Sequence, residues 1–219
     1  MSGVCWDALA EVPCGFWDGF TWLGDSALML PSSLLILMWL VLARRTRPTA
    51  GVWVLTFGVG STVIAASKIA FLGWCIGSAR FNFTGFSGHT AIAASVWPVA
   101  LWLVTSHAAP RVRQAAVATG WLLAAAIGVS RLAILAHSPS EVASGWLLGV
   151  TVSACFLWAA GRRLLPRLWW PVVVLSFMVP MLFQEPGKPA QTQGLLERIA
   201  VTLAGIERPY TREDLLRRG

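Results

Sequence analysis

Five ionisable side chains fall inside or at the rim of strongly apolar stretches: Lys68, His89, Arg131, His137 and Glu141. Arg80 lies in a loop beside them. An ionisable group within or next to a membrane span is costly and faces a cavity or a partner. Three cations, two imidazoles and one carboxylate at one end of a bundle suit an anion whose chemistry also needs proton transfer.

Two segments carry most of these residues. In Phe86-Ser87-Gly88-His89-Thr90, Ser87 is a good N-cap, and Gly88 lets a ligand approach the backbone. Free N–H groups at a helix start favour an anion, and His89 in the first turn can donate a proton to it. An ordinary cap with an interfacial His fits the same residues. In Ser130-Arg131, five residues, then His137, six helical steps cover roughly 9 Å, placing Arg131 below the rim and His137 at it. No acidic residue falls within a span to pair Arg131. In His137-Ser138-Pro139-Ser140-Glu141, Ser138 as N-cap, Pro139 at the first helical position and Glu141 at the third form a capping-box pattern. Glu141 can equally accept a hydrogen bond from one His137 nitrogen and leave the other free to react. His107 lies in a basic loop and reads as solvated.

The elements that must position these groups are membrane helices. Of 219 residues, 56% are hydrophobic and 12% charged, against about 25% charged in soluble domains. That composition excludes a soluble globular or disordered chain. The 13 Trp and single Tyr fit membrane–water interfaces. Stretches of about 20 apolar residues span a bilayer. Six are read: 26–43, 51–77, 90–106, 114–136, 142–161 and 168–183. Pro31, Pro98, Pro171 and Pro180 inside them are tolerated in membrane helices. The Trp-rich segment 15–24 extends the first span or lies along the interface. No strand pattern and no repeat stands out, so the expected fold is an all-α, six-helix membrane bundle.

Lys and Arg in short loops set orientation. Loops 44–50, 107–113 and 161–167 hold Arg44, Arg45, Arg47, Arg111, Arg113, Arg162, Arg163 and Arg167 and no acidic residue. They mark the cytoplasmic side, so both termini and the ionisable cluster face outward. This topology, rather than nucleic-acid binding, accounts for the net charge of +7. Residues 1–183 form the expected membrane domain. Residues 184–219 form a tail opening on Pro186-Gly187-Lys188-Pro189, with Leu195, Ile199, Leu203 and Ile206 at amphipathic spacing. The N-terminus carries Asp7, Glu11 and Asp18 without Lys or Arg, so no secretory signal is read. Cys75 and Cys155 read as small apolar residues, and Cys5 and Cys14 are able to pair in an oxidising compartment.

The two segments together resemble the type 2 phosphatidic acid phosphatase family. Its second motif, Pro-Ser-Gly-His, matches Phe86-Ser87-Gly88-His89. Its third, Ser-Arg, five residues, His, three residues, Asp, matches Ser130-Arg131, His137 and Glu141. The first motif is broken: Lys68 fits its Lys, but Cys75 stands where Arg is expected, and Arg80 comes five residues later. The resemblance implies a metal-independent, cofactor-free lipid-phosphate phosphatase of the bacterial cytoplasmic (inner) membrane. It would act through a phosphohistidine on His137, oriented by Glu141, with His89 as acid and base. Lys68, Arg80, Ser87, Gly88, Ser130 and Arg131 would hold the substrate. Its partners would be a lipid phosphate and membrane lipids, with no nucleic acid and no protein partner evident. A lipid phosphotransferase and a non-catalytic anionic-lipid-binding protein are the alternatives.

Overall fold

The computed structural model describes residue 6 and residues 12–42, 44–161 and 191–218. The sixth apolar stretch, 168–183, lies outside the described residues, as do Arg162, Arg163, Arg167, the start of the tail, and Cys5. Cys14 is disulfide-bonded, and Cys75 and Cys155 are free thiols.

Among the described residues, eight helices run in chain order: α1 (Cys14–Thr21), α2 (Ser26–Leu42), α3 (Arg47–Trp74), α4 (Gly88–Val104), α5 (Pro110–Ala133), α6 (Pro139–Ala160), α7 (Gln191–Ala204) and α8 (Arg212–Arg218). A 3-10 turn, Trp22–Gly24, joins α1 to α2, so Cys14–Leu42 forms a single apolar stretch of 29 residues. That stretch, α3 with the turn before it, α5 and α6 are four segments long and apolar enough to cross a membrane. Helix α4 is apolar but has 17 residues, at the short end for a span. The chain is thus an all-α integral membrane protein among its described residues. The expected count of six spans rests in part on the stretch 168–183.

Helix α4 is the axis of the bundle. Ala91, Ala93, Ala94, Val96, Val99 and Ala100 are fully buried against its neighbours, chiefly α5 and α6. Lipid supplies no hydrophobic drive between helices, so close backbone approach and dispersion must hold them. The sequence provides this through small residues on α6. A Cβ on Gly145 would lie 2.8 Å from the Ser87 carbonyl oxygen, and one on Gly149 would lie 2.6 Å from the Ala94 Cβ. Deeper in the bundle Trp53, Phe156 and Trp102 stack edge to face, and the Trp53 indole N–H donates to the Ser33 carbonyl at 3.0 Å.

Replacing Gly149 by Val is therefore expected to cost about 1–3 kcal/mol through overpacking. The check is the thermal midpoint in detergent, with Gly58→Ala as control, because open space surrounds Gly58. Equal midpoints for both variants would show that α4 and α6 separate freely.

The arginine-rich loops and the ionisable cluster occupy opposite ends of the bundle. At the arginine end, Arg113 lies over the Trp102 ring, 5.1 Å from its centroid. The other end gathers the 75–87 loop, the 134–138 turn, the Trp22–Gly24 turn and the tail. Helix α7 lies against α3, with Ala200 seated on Gly73. Its inward face is Leu196 and Ala200, while Leu195 and Leu203 point away from the bundle. The four-residue apolar spacing is present, but its inner edge is set by the small residue that fits against Gly73.

Candidate functional site

Helix α5 ends at Ala133, three residues short of the sequence-based boundary. Leu135 takes a left-handed backbone with φ 56°, and the N–H groups of Ala136 and His137 both turn back to the Arg131 carbonyl. This reversal brings His137 over the end of α5 instead of extending it along the helix axis.

Ser138 then caps α6, with Glu141 as the reciprocal partner in a complete capping box. The cap does not exclude the second role of Glu141. Its Oε2 also lies 2.7 Å from His137 Nδ1 while accepting the Ser138 N–H at 3.1 Å. Its Oε1 accepts the Thr84 N–H at 2.8 Å and the Thr84 hydroxyl. Arg212 from α8 donates to both oxygens at 2.9 Å. A fully buried carboxylate so surrounded has its charge balanced and its lone pairs filled. Glu141 Oε2 thus meets the His137 ring at Nδ1.

His137 lines a cleft of about 310 Å³ shared with Trp6, Asn82, Leu132, Leu135, Ser138, Pro139 and Arg212. Its walls are mixed, with Trp6, Leu132, Leu135 and Pro139 facing Asn82, Ser138, Arg212 and the imidazole. Asn82 and Leu135, two of the three described non-glycine residues with left-handed backbone, both border it. Such conformations collect where surrounding structure holds a site in shape. Burial pushes the His137 imidazole below its usual value near 6.5. Glu141 pulls it upward, and Arg131 and Lys68 add to the downward push.

A second imidazole–carboxylate pair lies alongside. His89 Nε2 is 3.3 Å from Asp25 Oδ2, and Asp25 Oδ1 accepts the Ala27 N–H at 2.7 Å. Gly24 makes this possible. A Cβ there would lie 2.6 Å from the Ile127 side chain and 3.1 Å from the His89 carbonyl oxygen. Arg131 donates to the Thr21 hydroxyl at 3.2 Å, and its Nε is buried without a hydrogen-bond partner.

The other residues singled out by sequence are placed as follows. Ser87 is buried, donates its N–H to the Glu141 carbonyl at 3.1 Å and shares a hydroxyl contact with Thr90 at 3.0 Å. Gly88 lies beside the Lys68 ammonium, which reaches Gln193 at 3.5 Å. The Ser130 hydroxyl donates to the Ile127 carbonyl at 2.6 Å, within its own helix. Arg80 is exposed, with its guanidinium over the Phe81 ring. The structure thus gathers His137, Glu141 and Ser87 at one point. Asp25, Thr21, Thr84, Asn82 and Arg212 join the cluster without having been found by sequence. Two of them had a local signal: Asp25 stands as a cap before α2, and Thr211-x-x-Asp214 is a capping pattern that begins the helix of Arg212.

Comparison with known proteins changes the functional expectation. The transmembrane exosortase family (Exosortase_EpsH) matches residues 79–205. A protein of Klebsiella pneumoniae described as an uncharacterized 22.5 kDa protein in the cps region is 42% identical over 202 residues, covering 91% of this chain and 97% of that one. No solved structure matches the chain. The exosortase match overturns the resemblance to the type 2 phosphatidic acid phosphatases. With it go the lipid-phosphate phosphatase activity, the phosphohistidine intermediate, the lipid-phosphate substrate and both stated alternatives. The physical reason is that the two motifs encode a capped helix start, a rim arginine and a carboxylate-held imidazole. That is proton-transfer hardware, and it does not specify phosphorus as the reacting atom. The first motif, which would supply the additional phosphate-binding cation, has Cys75 in its place and Arg80 turned outward. The chain belongs to the transmembrane exosortase family.

Proposed function

We propose that the protein is a membrane-embedded peptidase or transpeptidase-like enzyme of the exosortase kind, acting on a membrane-associated protein substrate. The observation that carries this is the His137–Glu141 pair beside a cleft of mixed apolar and polar lining, within the stretch that matches the family. The arginines at the far end of the bundle support a site on the outward face of a bacterial inner membrane.

In this proposal, an extended peptide lies among Trp6, Leu132 and Leu135 with its scissile carbonyl beside His137. The free Nε2 takes a proton from the attacking water or acceptor amine. The C–N bond breaks, and the same imidazole returns the proton to the departing nitrogen. The Asn82 side-chain amide, which lines the cleft, would donate to the oxygen as it gains charge. His89, held by Asp25, is a second proton-transfer group in the same rim.

The test uses purified protein in liposomes with a panel of membrane-anchored reporter peptides. Amide cleavage, or transfer of the acyl fragment to an added amine, is the expected result. Complete absence of both across the panel sinks the proposal.

Neither free thiol borders the cleft. Cys75 packs among Phe71, Leu72, Ala200 and Leu215. Cys155 projects from α6, sixteen residues beyond Pro139 and so about 24 Å along the helix. Cys75→Ala and Cys155→Ser are each expected to keep at least about half of wild-type turnover, within the range of changes away from reacting groups. Loss of turnover in either would bring a thiol into the chemistry.

A further inference from the structure

The tail enters the site. Its polypeptide returns after α7, where Gly205 reverses the chain with φ 65°. The Tyr210 N–H then donates to the Leu72 carbonyl at 2.9 Å, and Leu215 is buried beside Phe71 and Leu72. Asp214 fixes the start of α8 by accepting the Thr211 N–H at 2.8 Å and both Arg208 nitrogens at 2.9 and 3.2 Å. Hydrogen bonds from Arg208 and Thr211 hold the Asp214 carboxyl well below the usual carboxylate range.

With α8 held this way, the Arg212 guanidinium spans two loops. One nitrogen donates to the Asn82 carbonyl at 3.0 Å and to its side-chain oxygen at 2.6 Å. The other donates to both Glu141 oxygens. Glu141 Oε2 is shared: it lies 2.7 Å from His137 Nδ1 and accepts from Arg212 at 2.9 Å. The guanidinium side chain is one-third exposed and Glu141 fully buried, so this clamp reaches from the surface into the site.

We propose that Arg212 is a positioning residue, through which the C-terminal tail completes the site and sets how readily His137 takes a proton. The inference rests on His137 being the proton-transfer group. Four charged or titratable groups from four helices bear on that ring, Glu141 on α6, Arg131 on α5, Lys68 on α3 and His89 on α4, and Arg212 on α8 contacts the first of them. Glu141 is the anion among them, and Arg212 is the cation in direct contact with it. Removing Arg212 leaves the Glu141 charge undiluted beside the imidazole. The charged ring is then favoured, and its titration midpoint rises.

The experiment follows the His137 ring by NMR titration of imidazole-labelled protein in nanodiscs, assigned by the signal missing from His137→Gln. Arg212→Met and Arg212→Gln, which both lose the charge, should raise the midpoint by at least about half a unit for a charge this close. Arg212→Lys should return it most of the way to wild type. Wild-type midpoints in both neutral variants would overturn the proposal, as would a midpoint in Arg212→Lys no different from theirs. If Arg212→Met does not fold, Arg212→Gln carries the same measurement, and collapse of both would make Arg212 a folding clamp and end the proposal. No peptide substrate enters this measurement, so failure of the cleavage assay and failure of the clamp are separate results.

Discussion

His137→Ala is expected to lower amide cleavage or transfer by about 10²–10⁴-fold while leaving helix content and thermal midpoint near wild type. The ring contacts solvent through the cleft and supports no buried network beyond its bond to Glu141. Its loss should therefore fall on rate rather than on folding. Full turnover in this variant would remove His137 from the mechanism. The pH profile provides an independent reading. Because burial holds the imidazole below 6.5, the neutral, proton-accepting form persists on the acid side of that value. The acid limb of kcat/KM should thus lie below pH 6.5, and Glu141→Gln, which removes the group pulling the ring upward, should carry it further down. The stability linkage has the same direction. A His whose folded value is depressed contributes stability above its unfolded value, and that contribution is lost as pH falls from about 6.5 toward the folded value. A limb above 6.5 in wild type would contradict this account.

Glu141→Leu is the substitution expected to damage the fold most. It strips the partner from Arg212, from the Thr84 and Ser138 N–H groups and from His137 in one step. Breaking a buried ion pair by removing one partner costs about 3–5 kcal/mol. A leucine of similar size fills the space but satisfies none of these groups, the Thr84 hydroxyl included. Thermal unfolding in detergent is the measurement. Arg80→Ala serves as the contrast, since an exposed surface change away from such features stays within about 0.5 kcal/mol. Equal midpoints for the two variants would mean that the Glu141 network holds nothing together.

The parts of the site visible in the sequence are those whose members are near one another in the chain. His137 and Glu141 stand four apart across a helix start, so the cap signal and the dyad could be read together. Ser87 and Gly88 were visible for the same reason, as a helix entry. Arg80 stood out by type, yet its side chain folds over its neighbour Phe81, a contact that a one-residue separation makes easy. Ser130 stood out by its motif, yet its hydroxyl is committed within α5, as short polar side chains in apolar helices commonly are.

Substrate class was not legible from these residues, because an imidazole held by a carboxylate moves protons for phosphorus and carbonyl chemistry alike. The exosortase match over 79–205 draws on the pattern of a whole stretch, which two short motifs do not contain.

By itself the sequence determined that this is an all-α membrane protein whose apolar runs overlap its described helices, while six spans and an outward-facing cluster are expectations read from those runs and from loop charge. Those properties follow from apolar runs and loop charges, each set by residues adjacent in the chain. Tertiary structure decided the pairing of His89 with Asp25, the closure of Thr84 onto Glu141, the reach of Arg212 from the tail and the cleft beside His137. These join residues 57 to 71 positions apart or come from separate helices. Their meeting depends on how closely Gly24, Gly145 and Gly149 let the helices approach, a matter of packing that no local spacing encodes.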